Sequence, residues 1–253
     1  MAKYISNIRI RGSVNGMTFR QTKNGSVVSG KTGPTTEQVK NDPKFEKTRK
    51  MYNEFGRACD GAKIFRALFQ EPIVNCYDTN MHKRLVGMMR KIINSDTVSQ
   101  KGERNLLMGD SKLLKGFEFN KQASLKNIIG INYRVDVNRK SGEVLFHFPS
   151  FRPEAGFPKH ESATHYRITA AIAELSWRND GHHTAMETTD YLSLKEKQPA
   201  NFSVMLMINE GTQKPIASSL SITWYMEVNG TMHPLTNASY NAAAMVGVNV
   251  DVV

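Results

Sequence analysis

Residues 202–235 read FSVMLMINEGTQKPIASSLSITWYMEVNGTMHPL. Short runs rich in β-branched, aromatic and methionine side chains are interrupted there at Asn209-Glu210-Gly211 and at Asn229-Gly230. Both interruptions consist of residues that favour tight turns, and the runs between them have the length and composition of strands. The stretch therefore predicts successive antiparallel strands joined by hairpin turns.

The same pattern extends through the whole second half of the chain. It predicts strands near 131–137, 143–148, 165–177, 186–194, 202–208, 219–228, 231–235 and 245–253. Strands at this spacing are typical of an antiparallel, Ig-like β-sandwich. No helical pattern alternates with them, which argues against a parallel nucleotide-binding sheet. Trp177 and Trp224 are predicted to lie in the core of this sandwich.

The first 30 residues predict a two- or three-stranded β-ribbon. Asn24-Gly25 separates residues 17–23 from 26–29, and this dipeptide tolerates the positive φ angles that a two-residue hairpin needs. Alternating apolar residues predict an earlier strand over about 4–11, followed by a turn at 14–16. Such a ribbon is marginally stable alone, so we expect it to lean on the helices that follow.

Two helices are predicted after the ribbon. The first begins at Asp42-Pro43, an N-cap followed by a proline in the first turn, and ends before Pro72. The second spans about 75–93, and a shorter helical piece spans 103–108. The positions predicted to be buried recur with a helical period: Phe45, Tyr52, Phe55, Cys59, Ala62 and Phe69, then Met81, Leu85, Met88, Met89, Ile92 and Ile93. Gly56 and Gly61 predict that another backbone packs closely.

The charge changes where the pattern changes. Residues 1–126 carry 24 Lys/Arg and 11 Asp/Glu, whereas residues 127–253 carry 10 and 12. Coinciding changes in charge and periodicity indicate a domain boundary. The sequence predicts an α+β protein: a basic β-ribbon and α-hairpin module over 1–126, followed by the antiparallel Ig-like β-sandwich over 127–253.

Composition restricts the class of protein and its location. The fractions of apolar and charged residues, 40% and 23%, are those of an ordinary globular protein. No segment approaches the length of a membrane helix, and the N-terminus lacks the apolar core of a signal peptide. Two cysteines cannot form a disulfide framework. We expect a cytoplasmic protein without membrane insertion.

One segment matches a phosphate-binding motif. Residues 25–32, GSVVSGKT, satisfy the pattern GxxxxGK[ST], in which a helix must open at the Lys-Thr pair. Here Gly33-Pro34 follow at once and favour a turn, and Gly25 already has a role in the predicted hairpin. The match is interpreted as a coincidence within a Gly/Ser-rich strand, and no cofactor is predicted.

The histidines and cysteines do not match known catalytic or metal-binding motifs. His160 and His165 are separated by five positions, whereas the zinc-protease pattern needs four so that both side chains share a helix face. His182-His183 lacks a third ligand at a recognisable spacing, and neither Cys59 nor Cys76 has an assignable histidine partner. The sequence contains no catalytic motif and no metal site, and a protein without enzymatic activity is predicted.

The basic half is the sequence's best candidate for a nucleic-acid surface. The candidate contact residues are Arg9, Arg11, Arg20, Lys23, Lys83, Arg84, Arg90 and Lys91. The other interpretation is an ordinary solvated surface, since basic and acidic residues alternate at helical spacing in pairs such as Glu46–Lys50. Nucleic-acid binding is therefore kept as the alternative function.

The last segment, residues 245–253, has valine at nearly every second position. It predicts the final strand of the sandwich. If this strand lies at a sheet edge, its free backbone groups can pair with another chain, and the N-terminal ribbon offers the same possibility. The leading hypothesis is a structural or interaction protein that self-assembles, as a homo-oligomer, or docks on a protein partner through strand pairing.

The chain also resembles an uncharacterised Bacteroidota-type family. The resemblance rests on residues 12–19, GSVNGMTF, on Lys31-Thr32-Gly33, on residues 41–45, NDPKF, and on residues 53–56, NEFG. It implies a Gly-rich N-terminal ribbon, a helical middle and an Ig-like C-terminal β domain, in a bacterial setting associated with a phage or mobile element. It supplies no catalytic residues.

Overall fold

The computed structural model describes residues 2–3, 10–23, 25–30, 33–153, 157, 162–177, 181–198, 202–235 and 240–250. Its contacts divide the chain into two compact units, Met1–Lys50 and Met51–Val253. The α+β class predicted from the sequence is confirmed. The predicted boundary at 126/127 stays a prediction, and each compact unit is described below by itself.

The first unit contains a four-stranded antiparallel sheet. Its strands are β1 (Ala2–Lys3), β2 (Gly12–Val14), β3 (Met17–Thr22) and β4 (Gly25–Gly30), in the order β1-β4-β3-β2. The predicted β3–β4 hairpin is confirmed. Asn15 and Gly16, with φ angles of 47° and 77°, form the tight turn between β2 and β3. The strand predicted over 4–11 falls mainly on residues outside those described.

A short helix completes this unit. Helix α1 (Thr36–Asn41) begins with a capping box, in which Thr35 and Gln38 bond each other's backbone N–H groups. The Arg49 guanidinium donates to the carbonyl oxygens of Val39 and Asp42 and so ties α1 to the residues that follow it. None of the described side chains in residues 10–50 is buried. This unit therefore has no hydrophobic core among those residues.

The remaining helices are α2 (Glu46–Leu68), α3 (Gln70–Val74), α4 (Met81–Asn94) and α5 (Leu125–Ile128), with 3₁₀ segments at Pro43–Phe45 and Ser111–Leu114. The predicted start is confirmed, because the Asp42 carboxylate accepts from the N–H of Lys44 in the turn that leads into α2. The helix predicted over 103–108 is wrong, since these residues form turns. Pro72 does not end the helical region but lies in the first turn of α3.

The buried face of α2 differs from the predicted one. Tyr52 and Phe55 are exposed, with relative exposures of 61% and 47%, whereas the charged Glu54 is buried. Burial of Glu54 is tolerated because its carboxylate accepts two hydrogen bonds from the Arg104 guanidinium and one from the N–H of Gly102. A Cβ at Gly61 would collide with the Leu106 side chain, and Gly56 has open space beside it. No close backbone explains either glycine.

Two antiparallel sheets form the rest of the second unit. The smaller one has the order β10-β6-β5, where β5 is Arg134–Asn138, β6 is Glu143–Phe148 and β10 is Phe202–Met207. The larger one is built on the long strand β11 (Ile216–Val228), which pairs along one edge with β7 (His165–Glu174). Along its other edge lie β12 (Thr231–Pro234) and β13 (Ala242–Asn249). Strands β8 (Thr184–Thr188) and β9 (Leu192–Ser193) extend the sheet beyond β7.

The larger sheet is buried on both faces. Alternate residues of β7 belong to two hydrophobic clusters: Ile168 and Ala170 face the smaller sheet, whereas Ala171 and Ala173 face α2 and α4. The layer order is therefore helices, larger sheet, smaller sheet. The specifically immunoglobulin-like part of the prediction is not confirmed. In that fold two sheets bury only the faces they turn to each other, whereas helices cover one face of this larger sheet.

The two tryptophans lie in different clusters. Trp224 is 1% exposed and packs between the sheets, as predicted. Trp177 is only partly buried and packs in the other cluster, on the helical side of the larger sheet. Its predicted place in the core between the sheets is therefore wrong.

Acid is expected to destabilise the helical layer through Asp96. The N–H groups of Ser99, Asn105 and Val98 donate to this carboxylate and hold its pKa at about 2. Because the pKa is depressed in the folded state, the stabilisation is present above about pH 4 and is lost as the pH falls towards 2. In urea unfolding between pH 2 and 5, Asp96→Asn should flatten the loss of stability seen in the wild type. The exposed Asp60 supplies a matched Asp→Asn control, and an unchanged slope in Asp96→Asn would contradict this expectation.

Candidate strand-pairing site

A groove in the second unit lies between two strand edges. It has a volume of about 980 Å³ and is lined by β5 and the residues that lead into it, by α5, and by the second half of β13. Strand β5 pairs with β6 along one edge, and β13 pairs with β11 along one edge. Their other edges border the groove. Among the described residues, no main-chain partner covers residues 134–138 or 246–248 on the groove side.

The first part of β13 is covered on its outer edge. The N–H of Met245 donates to the Phe117 carbonyl at 2.9 Å, and the N–H of Gly116 donates to the Met245 carbonyl at 2.8 Å. The register between β11 and β13 then shifts, because Ser218 pairs with Gly247 and Ser219 with Met245. Val246 is the additional residue of this bulge. Bulges occur where pairing ends or is redirected, and here the open part of the edge begins.

Arg139 fixes one end of the groove. This buried arginine directly follows β5 and donates to both Asn249 Oδ1 and the Asn249 carbonyl, each at 2.9 Å. The same guanidinium donates to the carbonyl oxygens of Thr212 and Lys214, at 2.7 and 3.0 Å. Because Asn249 ends β13, the carboxyl ends of β5 and β13 are held together at this end of the groove.

Glu118 fixes the opposite end. Its backbone bridges Ala244 near the start of β13, and its carboxylate accepts from Ser124 Oγ at 2.8 Å and from the N–H of Leu125 at 3.0 Å. These bonds place α5 on the groove wall, in the segment that leads towards the start of β5. Both edge strands therefore run in the same direction along the groove.

Apolar side chains line the groove between its ends. Four of them are buried, namely Leu125, Ile129, Ala244 and Met245. The half-buried ones are Ile131, Tyr133, Val135, Val137, Val246 and Val248. Burial, together with the negative charge of Glu118, raises the pKa of the Tyr133 hydroxyl. The charged side chains that line the groove are Lys115, Glu118, Lys126 and Arg134. An extended, largely apolar segment is what this lining can accommodate.

The predicted nucleic-acid residues are divided between the two compact units. In the first unit Arg11, Arg20 and Lys23 are exposed, and Arg9 lies outside the described residues. In the second unit Lys83, Arg90 and Lys91 lie on the exposed side of α4, where the Arg90 guanidinium lies 6.0 Å from the centre of the Phe55 ring.

Arg84 has a structural position instead. It pairs with the Asp78 carboxylate and donates to the carbonyl oxygens of Glu118 and Phe119, at 2.6 and 3.1 Å. Its guanidinium also lies over the Phe117 ring. These contacts hold the segment that covers the start of β13. A substitution at Arg84 would therefore change folding as well as any surface charge.

The described residues of the phosphate-binding match and of the histidine and cysteine motifs have other structural positions. Residues 25–30 of the GxxxxGK[ST] match form strand β4, and the next helix begins only at Thr36. His165 lies in β7 and shares a hydrogen bond with Thr164 Oγ1, while His160 lies outside the described residues. Burial raises the pKa of the Cys76 thiol to about 12, which leaves it a poor nucleophile. No cluster of three or more His, Cys, Asp or Glu suited to a metal ion occurs in the described ranges.

The sequence pattern indicates one wall of the groove, strand β13, but not the wall formed by β5 or the residues that fix the two ends. The last strand was considered as a possible edge, and β13 lies at an edge of the larger sheet. Arg139 and Glu118 carry no signal in the sequence, because nothing there distinguishes Arg139 from Lys140. The comparison with models of known protein families finds no match, and neither does the comparison with curated proteins. None of the described helices is long and apolar enough to cross a membrane.

Proposed function

We propose that this protein is a non-enzymatic structural or interaction protein that joins other protein chains by strand pairing. The observation that carries the proposal is the groove between β5 and β13, where two strand edges with free main-chain groups face each other. Unpaired edges of this kind are templates for an added strand, and folded proteins usually blunt or cover them. The clamps at Arg139 and Glu118 hold the two edges in place without a partner.

The N-terminal sheet supports the same function. Val14 and Met17 are about half-exposed, and none of the described side chains of this unit from residue 10 onward is buried. A small sheet needs an apolar face packed against something to be stable. Association with a second copy of the chain, or with a protein partner, would supply that packing. We place this activity in the cytoplasm, where the free thiols of Cys59 and Cys76 would stay reduced.

Deletion of residues 1–32 is expected to abolish self-association and to leave the second unit folded. Light scattering on a sizing column should give a mass well above 28.5 kDa for the untagged wild type and a monomer for the deletion variant. Val137→Arg, which places a charge in the groove, should weaken binding of another protein chain there and leave this self-association intact. Met205→Arg is the matched control, because Met205 is an exposed strand residue outside the groove. An assembly that survives the deletion of residues 1–32 would contradict strand pairing through the N-terminal sheet.

Nucleic-acid binding is the second candidate. It is favoured by the exposed basic residues Lys83, Arg90 and Lys91 on α4. The same column experiment separates the two functions if the protein is purified without nuclease. A species with high absorbance at 260 nm that collapses to a monomer in high salt would favour nucleic acid, whose binding weakens steeply with salt. A large species with low absorbance at 260 nm that persists in salt favours strand pairing.

A further inference from the structure

The direction of the groove restricts what can occupy it. Both edge strands run from the end held by Glu118 to the end held by Arg139. A segment that pairs antiparallel with β5 and β13 must therefore enter with its N-terminal half beside Arg139 and its C-terminal half beside Glu118. It would complete a continuous ladder from the smaller sheet to the larger one. The opposite direction would give the slanted parallel pattern along both edges, which is slightly less stable for each residue.

The charges of the groove are concentrated at one end. Arg134 begins β5, Lys126 lies on α5, and Lys115 adjoins the residues that cover β13. All three are exposed. Arg134 pairs with the Asp136 carboxylate at 2.6 Å, and neither lysine makes an ion pair among the described residues. At this end the carboxylate of Glu118 is already engaged by Ser124 and Leu125. The net charge offered to an occupant is positive.

We propose that the groove binds an extended segment of a partner protein in which apolar side chains alternate with polar ones and acidic residues lie in the C-terminal half. This inference rests on the proposed strand-pairing function and adds the direction and charge of the occupant. The apolar side chains pack on the half-buried lining, from Ile131 to Val248, and the carboxylates meet Lys115 and Lys126. Complementary charges at the rim of the groove fix the direction of the bound segment and disfavour segments whose C-terminal half is positively charged.

The chain's own N-terminal strands fit this groove poorly. Residues 1–50 carry 11 Lys/Arg and only 3 Asp/Glu. Placing a strongly basic strand beside Lys115 and Lys126 would bring like charges together, which disfavours binding. A second copy of this chain is therefore the less favourable occupant of the groove. Self-association of the chain would use the strand edges of the N-terminal sheet instead of the edges of β5 and β13.

The test uses fluorescein-labelled peptides of alternating valine and threonine and the full-length protein. One peptide has two glutamates in its C-terminal half, one has them in its N-terminal half, and one has lysines in their place. Fluorescence anisotropy at low salt should show about tenfold tighter binding of the first peptide than of either other. Lys115→Glu/Lys126→Glu should reverse the preference between the glutamate and lysine peptides. Lys83→Glu/Lys91→Glu changes the net charge equally but lies on α4, and it should leave the preference intact.

The outcomes separate the two proposals. Equal binding of the three peptides, or an equal effect of the two double variants, overturns the proposed partner chemistry. Absence of binding by every peptide also overturns it. If no peptide binds but Val137→Arg disrupts self-association, the strand-pairing proposal stands and the occupant of the groove is a second copy of the chain. If self-association and peptide binding are both absent, both proposals fail. Thermal melts of each variant establish that it is folded.

Discussion

Replacing Arg139 with methionine is expected to lower the free energy of unfolding by about 3 kcal/mol or more. The guanidinium is nearly inaccessible to water and donates to four acceptors on Asn249, Thr212 and Lys214. Hydrogen bonds from a charged donor contribute more than neutral ones, and their loss would leave four partly buried acceptors without this donor. Methionine retains most of the aliphatic volume, so the loss of hydrogen bonds dominates the effect.

Urea unfolding at constant m-value measures this effect. The exposed Arg152 provides the matched control, since Arg152→Met removes the same charge without a buried network and should cost less than about 0.5 kcal/mol. Arg139→Lys should recover only part of the loss, because an ammonium cannot reach acceptors arranged around a planar fork. A decrease below about 1 kcal/mol for Arg139→Met would show that the ends of β5 and β13 are held together by other contacts.

The strands of the second half were predictable because their signal is local. Period-two alternation and turns such as Asn229-Gly230 lie within a few residues of the strands that they define. The predicted strand 143–148 coincides with β6, and 231–235 is within one residue of β12. Likewise Asp42-Pro43 marked the turn that leads into α2, since an N-cap and a proline act within one turn.

The buried face of α2 could not be predicted in the same way. Ranking by hydrophobicity placed Tyr52 and Phe55 inside and Glu54 outside. The structure reverses this because Arg104, fifty positions later, neutralises Glu54 and its hydrogen bonds remove the cost of burial. A pairing of this range is not visible in a single sequence. Gly61, where the missing Cβ leaves space for the Leu106 side chain, was the available indication.

The groove depends on distant residues even more strongly. Its Arg139 clamp joins positions 110 residues apart, and the opposite clamp joins Glu118 to Ala244. The sequence pattern offers the last strand as a candidate edge, but it contains nothing about what that edge faces. Arg84 illustrates the converse error. Its neighbours on α4 suggested a surface charge, whereas its guanidinium is taken up by Asp78, Glu118 and Phe119.

Trp224→Ala is expected to cost about 3–5 kcal/mol of the free energy of unfolding. The indole packs edge-on against Phe157, with ring centres 5.3 Å apart, and lies near Tyr166. Its Nε1–H donates to the Tyr240 carbonyl at 2.9 Å. Truncation would leave a cavity between the two sheets and an acceptor without its donor. Trp177→Ala is the matched control and should cost less, because Trp177 is only partly buried. Equal costs would contradict this assignment of the core.

The same two positions test how many cooperative units residues 51–253 contain. The chain has two tryptophans, so Trp177→Phe leaves Trp224 to report the core between the sheets, and Trp224→Phe leaves Trp177 to report the helical side. Strands β7, β11 and β13 supply alternate residues to both clusters, so loss of either cluster exposes one face of the same sheet. We therefore expect each variant's fluorescence transition in urea to coincide with its own circular dichroism transition. A helical transition that precedes the sheet transition would instead support separate domains divided at 126/127.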